Sequence, residues 1–143
     1  MNRPEYAWGY GKEIACRQRD WIKIINPDAI IPVPLHKKRL IKRGYNQAEE
    51  LAKAVSYYSN IPVRNDVVLR VKNTSPLKFS DREGRRNNMK NAFIVRENVV
   101  KLNTVVLVDD IYTTGSTLDA VAGILKAHGI ENIYFLTITA AGT

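Results

Sequence analysis

A chain of 143 residues, 45% hydrophobic and 25% charged, has the size and composition of a single domain that buries one sizeable core. Its 22 lysines and arginines outnumber 14 acids, and the net charge of +8 points to anionic ligands. No apolar run approaches the roughly 18 to 20 residues of a membrane span, the opening MNRPEYAWGYGKE has no signal-like apolar region, and the single Cys16 excludes an internal disulfide or a cysteine-rich metal site, so a cytoplasmic protein is expected.

The first predicted element is an amphipathic helix from about Tyr10 to Ile25, on the spacing of Ile14, Trp21, Ile24 and Ile25, closed by Asn26-Pro27. Trp8 and Trp21 read as packing residues. AIIPVPL follows from Ala29 to Leu35. Prolines cannot donate to a sheet ladder, so the regular strand is expected over Ala29–Ile31 or as far as Val33, with the proline end a bent exit. From His36 to Gln47 come Lys37, Lys38, Arg39, Lys42 and Arg43 without an acid.

Ala48, Leu51, Ala52, Val55 and Tyr58 then fall at helical spacing, with Asn46 as N-cap, Glu49 at N3 and Asn60-Ile61-Pro62 as the stop. Val67–Val71 reads as a strand. Lys72–Lys90 is polar and without apolar periodicity, long for an uninterrupted connection, and reads as a flexible functional loop. Its second half sets Lys78, Arg82, Arg85, Arg86 and Lys90 against Asp81 and Glu83, so this stretch and the earlier one account for the whole basic excess. Asn91–Val95 resumes as a strand.

Thr104–Gly129, TVVLVDDIYTTGSTLDAVAGILKAHG, organises the rest. Val105–Val108 is a short β-branched run of the kind buried on both faces of a sheet, and Leu118, Val121, Ala122 and Leu125 resume helical spacing. Gly129 suits the left-handed C′ position, with Lys126 and His128 in the last turn. Ile133–Thr139 reads as the final strand. The order suggests an α/β domain with a mainly parallel sheet flanked by helices, whose ligands gather outside the carboxyl ends of the strands.

Two such ends carry the candidate chemistry. At the turn into the helix, Gly115 lets the backbone approach an anion while Thr113, Thr114, Ser116 and Thr117 add hydroxyl donors beside unpaired helix N–H groups. A simpler reading makes Ser116 a cap with Asp119 three residues on, which explains one hydroxyl but not four together with an acid pair. Asp109 and Asp110 are adjacent, so on a regular strand they face opposite ways, whereas at a turning strand end both could reach one ligand. The basic stretch after Leu35 begins at the other end and should meet this turn across one crevice. Acids, phosphate donors and cations together suit a ligand bearing hydroxyls and phosphates, with Mg²⁺ held mainly by phosphate oxygens and water.

Val105–Leu118, VVLVDDIYTTGSTL, closely resembles the signature of type I phosphoribosyltransferases, which bind 5-phosphoribosyl-1-pyrophosphate (PRPP). Ile31-Pro-Val-Pro-Leu-His36, Arg39 and Arg43-Gly-Tyr-Asn-Gln-Ala48 resemble the ComF/GntX family, associated with DNA uptake in competent bacteria and with sugar-related operons. A third patch, Leu69-Arg70, Thr74, Arg85, Asn88 and Ala92-Phe93, resembles it too. The resemblance implies a single-domain type I phosphoribosyltransferase-like fold over residues 1–143. It implies that Asp109 and Asp110 are catalytic, contacting the ribose hydroxyls and Mg²⁺ directly or through water, and that Thr113, Thr114, Gly115, Ser116 and Thr117 hold the 5-phosphate. Pro34, Leu35, His36, Lys37 and Arg39 would face the pyrophosphate, and the loop 72–90 would close over the site with Arg82, Arg85 or Arg86 supplying charge. In the family's reaction a nucleophile displaces pyrophosphate at the anomeric carbon through a cation-like transition state. Two departures stand out: family members commonly carry an N-terminal four-cysteine zinc module, whereas this sequence has one cysteine, the module being either cut away or lacking in this lineage, and Leu77 stands where a glutamine is usual in the third motif.

The expected function is therefore phosphoribosyl transfer from PRPP to an unknown acceptor. The alternative is a non-enzymatic competence protein that binds single-stranded DNA, with the basic segments tracking phosphates and Tyr45 stacking on a base. A PRPP synthetase is disfavoured because it would need about two domains. Homodimerisation is left open by the sequence.

Overall fold

The computed structural model describes residues 4–35, 37–71, 92–96, 101–112 and 116–140. The expected flexible loop 72–90, with Arg82, Arg85 and Arg86, lies outside the described residues, as do His36, Thr113, Thr114 and Gly115.

Three parallel strands form the central sheet: β1 (Ala29–Pro32), β4 (Thr104–Tyr112) and β5 (Asn132–Ala140), in the order β1-β4-β5. Ala29 pairs with Val105 and Pro32 with Val108, while β5 pairs with β4 from Thr104↔Asn132 to Tyr112↔Ala140. The alternation of a strand splits the core between two faces. Ala29, Ile31, Val105 and Leu107 pack with Leu118, Val121 and Leu125 of α5 (Ser116–Ala127) and with Val68 and Phe93. Ile30, Val106 and Val108 pack on the other face with Leu51, Ala52 and Val55 of α4 (Gln47–Ser59). Both helices thus lay their 3.6-period apolar stripes on a sheet whose middle strand is apolar on both sides.

Pro32 lies inside β1, where the sequence left the strand end undecided between Ile31 and Val33. The reason is the direction of its missing donor. The Val33 N–H donates to the Val108 carbonyl at 2.9 Å, whereas the Ile30 N–H points to the opposite side, to the Pro62 carbonyl at 2.8 Å. Alternation gives Pro32 the same orientation as Ile30, away from β4, so the ring costs β1–β4 no ladder bond.

The expected single helix at the N-terminus is two. α1 (Pro4–Arg17) begins before Tyr10, and α2 (Arg19–Ile25) follows a break at Gln18, where ψ turns to 16°. α2 stops at Asn26 and α4 at Asn60, both left-handed, so the two asparagines are the stops before Pro27 and Pro62. The two strands around the loop also depart from the expected parallel series. β2 (Val68–Arg70) and β3 (Phe93–Val95) pair antiparallel with each other as a separate ribbon over the α5 face. Two runs of three paired residues bury one side of the ribbon, at Val68 and Phe93, which gives no period by which to tell parallel from antiparallel pairing.

α1 rides on α4 through Gly11, a buried residue whose Cβ, if present, would collide with the Ala54 Cβ. Gly11→Ala is accordingly expected to destabilise the fold by about 1–3 kcal/mol through overpacking, although alanine outranks glycine in a helix by about 1 kcal/mol. Adding Ala54→Gly should restore most of the loss, because the methyl group is then moved rather than added; urea denaturation of the two variants checks both statements.

Asp28 joins the starts of two strands. Its N–H donates to the Thr104 carbonyl at 2.7 Å, and its Oδ2 accepts from the N–H groups of Asn103 at 2.8 Å and Thr104 at 2.9 Å. The Thr104 and Asn103 amides hold the carboxyl below the usual aspartate range, against a smaller opposing effect of burial. A depressed carboxyl contributes stability above its unfolded pKa of about 3.9 and loses it as pH falls through the lower folded value. The stability gap between wild type and Asp28→Asn is therefore expected to shrink as pH is lowered from about 5 to about 2, measured by urea midpoints.

Candidate functional site

A strand leading to a helix is found here as expected, with residues 113–115 between them outside the described residues, and β4 runs on past the apolar run Val105–Val108 through both acids to Tyr112. Pairing with β5 continues at Asp109↔Thr137, Ile111↔Thr139 and Tyr112↔Ala140. β1, in contrast, leaves after the Val33–Val108 hydrogen bond. Asp109 therefore sits where β4 loses its β1 neighbour and keeps its β5 neighbour. Its parity with Val105 and Leu107 puts it on the α5 face, half-buried, so the acid occupies the carboxyl-end notch that the open sheet creates. β4 is still paired strand on either side of Asp110, so the turning strand end at which both acids could reach one ligand is not found at these residues.

α5 starts at Ser116, with Thr117 half-buried and Asp119 exposed in its first turn. Its far end is firmly fixed. Ile130 N–H reaches the Leu125 carbonyl at 3.2 Å and Gly129 N–H the Lys126 carbonyl at 3.0 Å, with Gly129 at φ +95°, a complete Schellman motif closed by buried Ile130. His128 belongs to this cap: its Nδ1, carrying the hydrogen, donates to the Ile124 carbonyl at 3.0 Å.

On the opposite side of the notch, Pro34 and Leu35 are half-buried in the exit from β1. Lys37 and Arg39 lie in α3 (Lys37–Arg43), a short helix that carries the first basic stretch. α3 holds Leu40 and Ile41 exposed, at 40% and 74%, and ends at Gly44, whose φ of +90° and N–H bond to the Leu40 carbonyl at 2.7 Å turn the chain back toward α4. The structure thus brings Pro34, Leu35 and the start of α3 to the same sheet end as Asp109 and Thr117.

Asn46 is the residue whose role the sequence understated. As expected it caps α4, its Oδ1 accepting from the Ala48 N–H at 3.0 Å, but its Nδ2 also donates to the Val33 carbonyl at 3.1 Å. Glu49, expected to complete a capping box, instead accepts from the Asn65 side chain. Beside Asn46, the Tyr45 hydroxyl is buried without a hydrogen-bond partner among the described residues. Spacing gives no account of what covers a loop residue, so this buried hydroxyl was not legible in the sequence.

Among the described residues no group of three or more histidines, cysteines or carboxylates could cage a metal. Asp109, half-buried at the carboxyl end of β4, is a carboxylate of the kind Mg²⁺ takes one or two at a time together with waters and substrate phosphates, rather than part of a cage of protein ligands alone.

A family model described as the phosphoribosyl transferase domain matches residues 25–143. The chain belongs to the phosphoribosyl transferase domain family. Its relatives place it in the ComF-like type I branch. Over 109 residues it is 45% identical to Competence protein F of Haemophilus influenzae, covering 75% of this chain and 48% of that protein. It is 36% identical over 103 residues to the DNA utilization protein YhgH of Escherichia coli K12, covering 72% and 45%. Competence protein ComFC of Bacillus subtilis is 33% identical over 100 residues, covering 70% and 39%. The chain spans less than half the length of these curated relatives. The crystal structure of a purine phosphoribosyltransferase from Pyrococcus horikoshii Ot3 shares the fold, with a TM-score of 0.51 at 18% identity over 92% of this chain and 70% of that one. The type I phosphoribosyltransferase fold expected from the sequence is the one observed.

Proposed function

We propose that this phosphoribosyltransferase domain binds PRPP with Mg²⁺ in the notch between the β1 exit and the β4–α5 turn, and transfers its phosphoribosyl group to an unidentified acceptor. The observation that carries the reading is the register Pro32↔Val108 followed by the departure of β1, which leaves Asp109 past the last β1 pairing on the sheet face that α5 covers. In this reading the ribose hydroxyls lie on Asp109 and Asp110, and the 5-phosphate is held by Thr113, Thr114, Gly115, Ser116 and Thr117 at the helix N-terminus. The pyrophosphate faces Pro34–Arg39. Mg²⁺, when bound, neutralises the pyrophosphate and takes Asp109 or Asp110 as ligands directly or through water. The acceptor bonds to the anomeric carbon as the bond to pyrophosphate breaks, the electron pair leaving on the pyrophosphate oxygen, and a carboxylate stabilises the positive charge that develops on the sugar. Arg82, Arg85 or Arg86 supplies further charge for the pyrophosphate.

Calorimetric titration with PRPP in Mg²⁺ tests binding, and a screen of acceptors for pyrophosphate release tests turnover, with Asp110→Asn as control. Release that persists unchanged in that variant would mark a contaminant. No helix of the described residues is long and apolar enough to cross a membrane, and a cytoplasmic site of action accords with a phosphorylated substrate.

A second reading is binding of single-stranded DNA, in keeping with the names of the relatives. It is favoured by an exposed aromatic group on α1 and α4: Trp8 and Tyr57 at 5.9 Å, Tyr57 and Tyr58 at 5.0 Å, and Lys12 over the Tyr58 ring at 6.0 Å. Stacking faces beside cations suit an unpaired strand. Affinity for a single-stranded oligonucleotide that falls steeply with salt would support it, and absence of binding at low salt would end it.

A further inference from the structure

We infer that Asn46 is a positioning residue of the ligand site: its two-ended amide sets the place of the β1 exit against Asp109. The inference rests on the PRPP reading for its ligand, and on four hydrogen bonds for its geometry. One chain of contacts runs from α4 to the acid. The Ala48 N–H donates to Asn46 Oδ1 at 3.0 Å, Asn46 Nδ2 donates to the Val33 carbonyl at 3.1 Å, and the Val33 N–H donates to the Val108 carbonyl at 2.9 Å. Asp109 is the next residue. The fourth bond, Glu50 N–H to the Asn46 carbonyl at 3.0 Å, ties the Asn46 backbone into the first turn of the helix.

Val33 is where the exit is held: one residue past the end of β1 at Pro32, its N–H still bonds to β4. Its backbone is gripped at both ends, by β4 through the N–H and by α4 through the carbonyl. The residues proposed to face pyrophosphate, Pro34–Arg39, follow directly on that fixed residue, so any error in Val33 is passed on to them. α4 is itself anchored in the core by Leu51, Ala52 and Val55, which gives Asn46 a rigid base.

The residue type decides between this role and capping alone. Serine, threonine, aspartate and asparagine all cap well, yet of these only asparagine carries an acceptor for the helix and an amide donor for the carbonyl at once. Asn46→Asp keeps the accepting end and sets a carboxylate oxygen against the Val33 carbonyl. Asn46→Ser keeps a cap and is too short to bridge. Both variants therefore remove the link to Val33 while sparing the helix start.

The test measures three quantities on wild type, Asn46→Asp and Asn46→Ser: melting temperature, PRPP affinity by calorimetry in Mg²⁺, and amide hydrogen exchange at Val33 and Leu35. The expected result is melting within a few degrees of wild type, PRPP affinity weaker on the order of tenfold, as a small misplacement of a binding group costs, and faster exchange at the two amides. Wild-type affinity and exchange in both variants would overturn the inference and leave Asn46 a cap. If wild type itself binds no PRPP, the ligand reading fails, and hydrogen exchange alone then decides whether Asn46 holds the exit. Should one variant fail to fold, the other carries the comparison.

Discussion

Leu107→Ala is expected to cost about 3–5 kcal/mol, the upper part of the range for a buried leucine truncated to alanine. Leu107 is fully buried in the middle strand, between Ile31 of β1 and Phe135 of β5, and packs with Leu118, Val121 and Leu125 on α5. A strand held on both edges and covered by a helix has little freedom to collapse into the space left behind, which is why the cavity contribution should be large. Set against a total stability of about 5–15 kcal/mol, such a loss brings the domain close to unfolding. Urea denaturation gives the number, and Ile41→Ala is the control. Ile41 is 74% exposed on α3, and its truncation should stay within about 0.5 kcal/mol. The consequence reaches the site as well, since Leu107 lies two residues before Asp109 on the same face and supports its backbone.

Asp109→Asn is expected to weaken PRPP binding by about 10- to 150-fold, because hydrogen bonds to a charged partner contribute about 1.5–3 kcal/mol each. The substitution keeps the shape of the side chain and removes the charge, and a hydroxyl-bearing sugar with its metal loses a full acceptor. The effect should also depend on Mg²⁺: in wild type the metal strengthens binding, and in the variant that gain should shrink. Calorimetry with and without Mg²⁺ separates the two, with circular dichroism showing that the variant is folded. Equal affinity in the two proteins would remove Asp109 from the site.

Much of the architecture was legible because it rests on long, periodic segments. The α4 stripe of Leu51, Ala52 and Val55, the Asn46 cap, the apolar β4 run and the Gly129 stop each follow from a local rule that tertiary contacts reinforce. What escaped was set by partners far along the chain. Pro32 is tolerated in β1 only because its ring points away from β4, and nothing in AIIPVPL reveals on which side β4 will lie. The break at Gln18 has no proline or glycine to announce it. β2 and β3 were too short to show their antiparallel pairing, and the second hydrogen bond of Asn46 joins residues 13 apart in sequence, beyond any local pattern. Of the candidate site, the sequence named residues after two strand ends; what the structure added is the hydrogen-bonded link from Asn46 through Val33 to Val108.

The claim at the centre is that these two halves form one PRPP site. Backbone amide shifts of nitrogen-15-labelled protein, followed as PRPP and Mg²⁺ are added, test it most directly. The account predicts saturable shifts at Val33, Leu35 and Lys38 on one side and at Asp109, Asp110 and Thr117 on the other, sharing a single affinity, with Asp28 and α2 unmoved. Shifts confined to one half, or centred on the α1–α4 aromatic face, would contradict it.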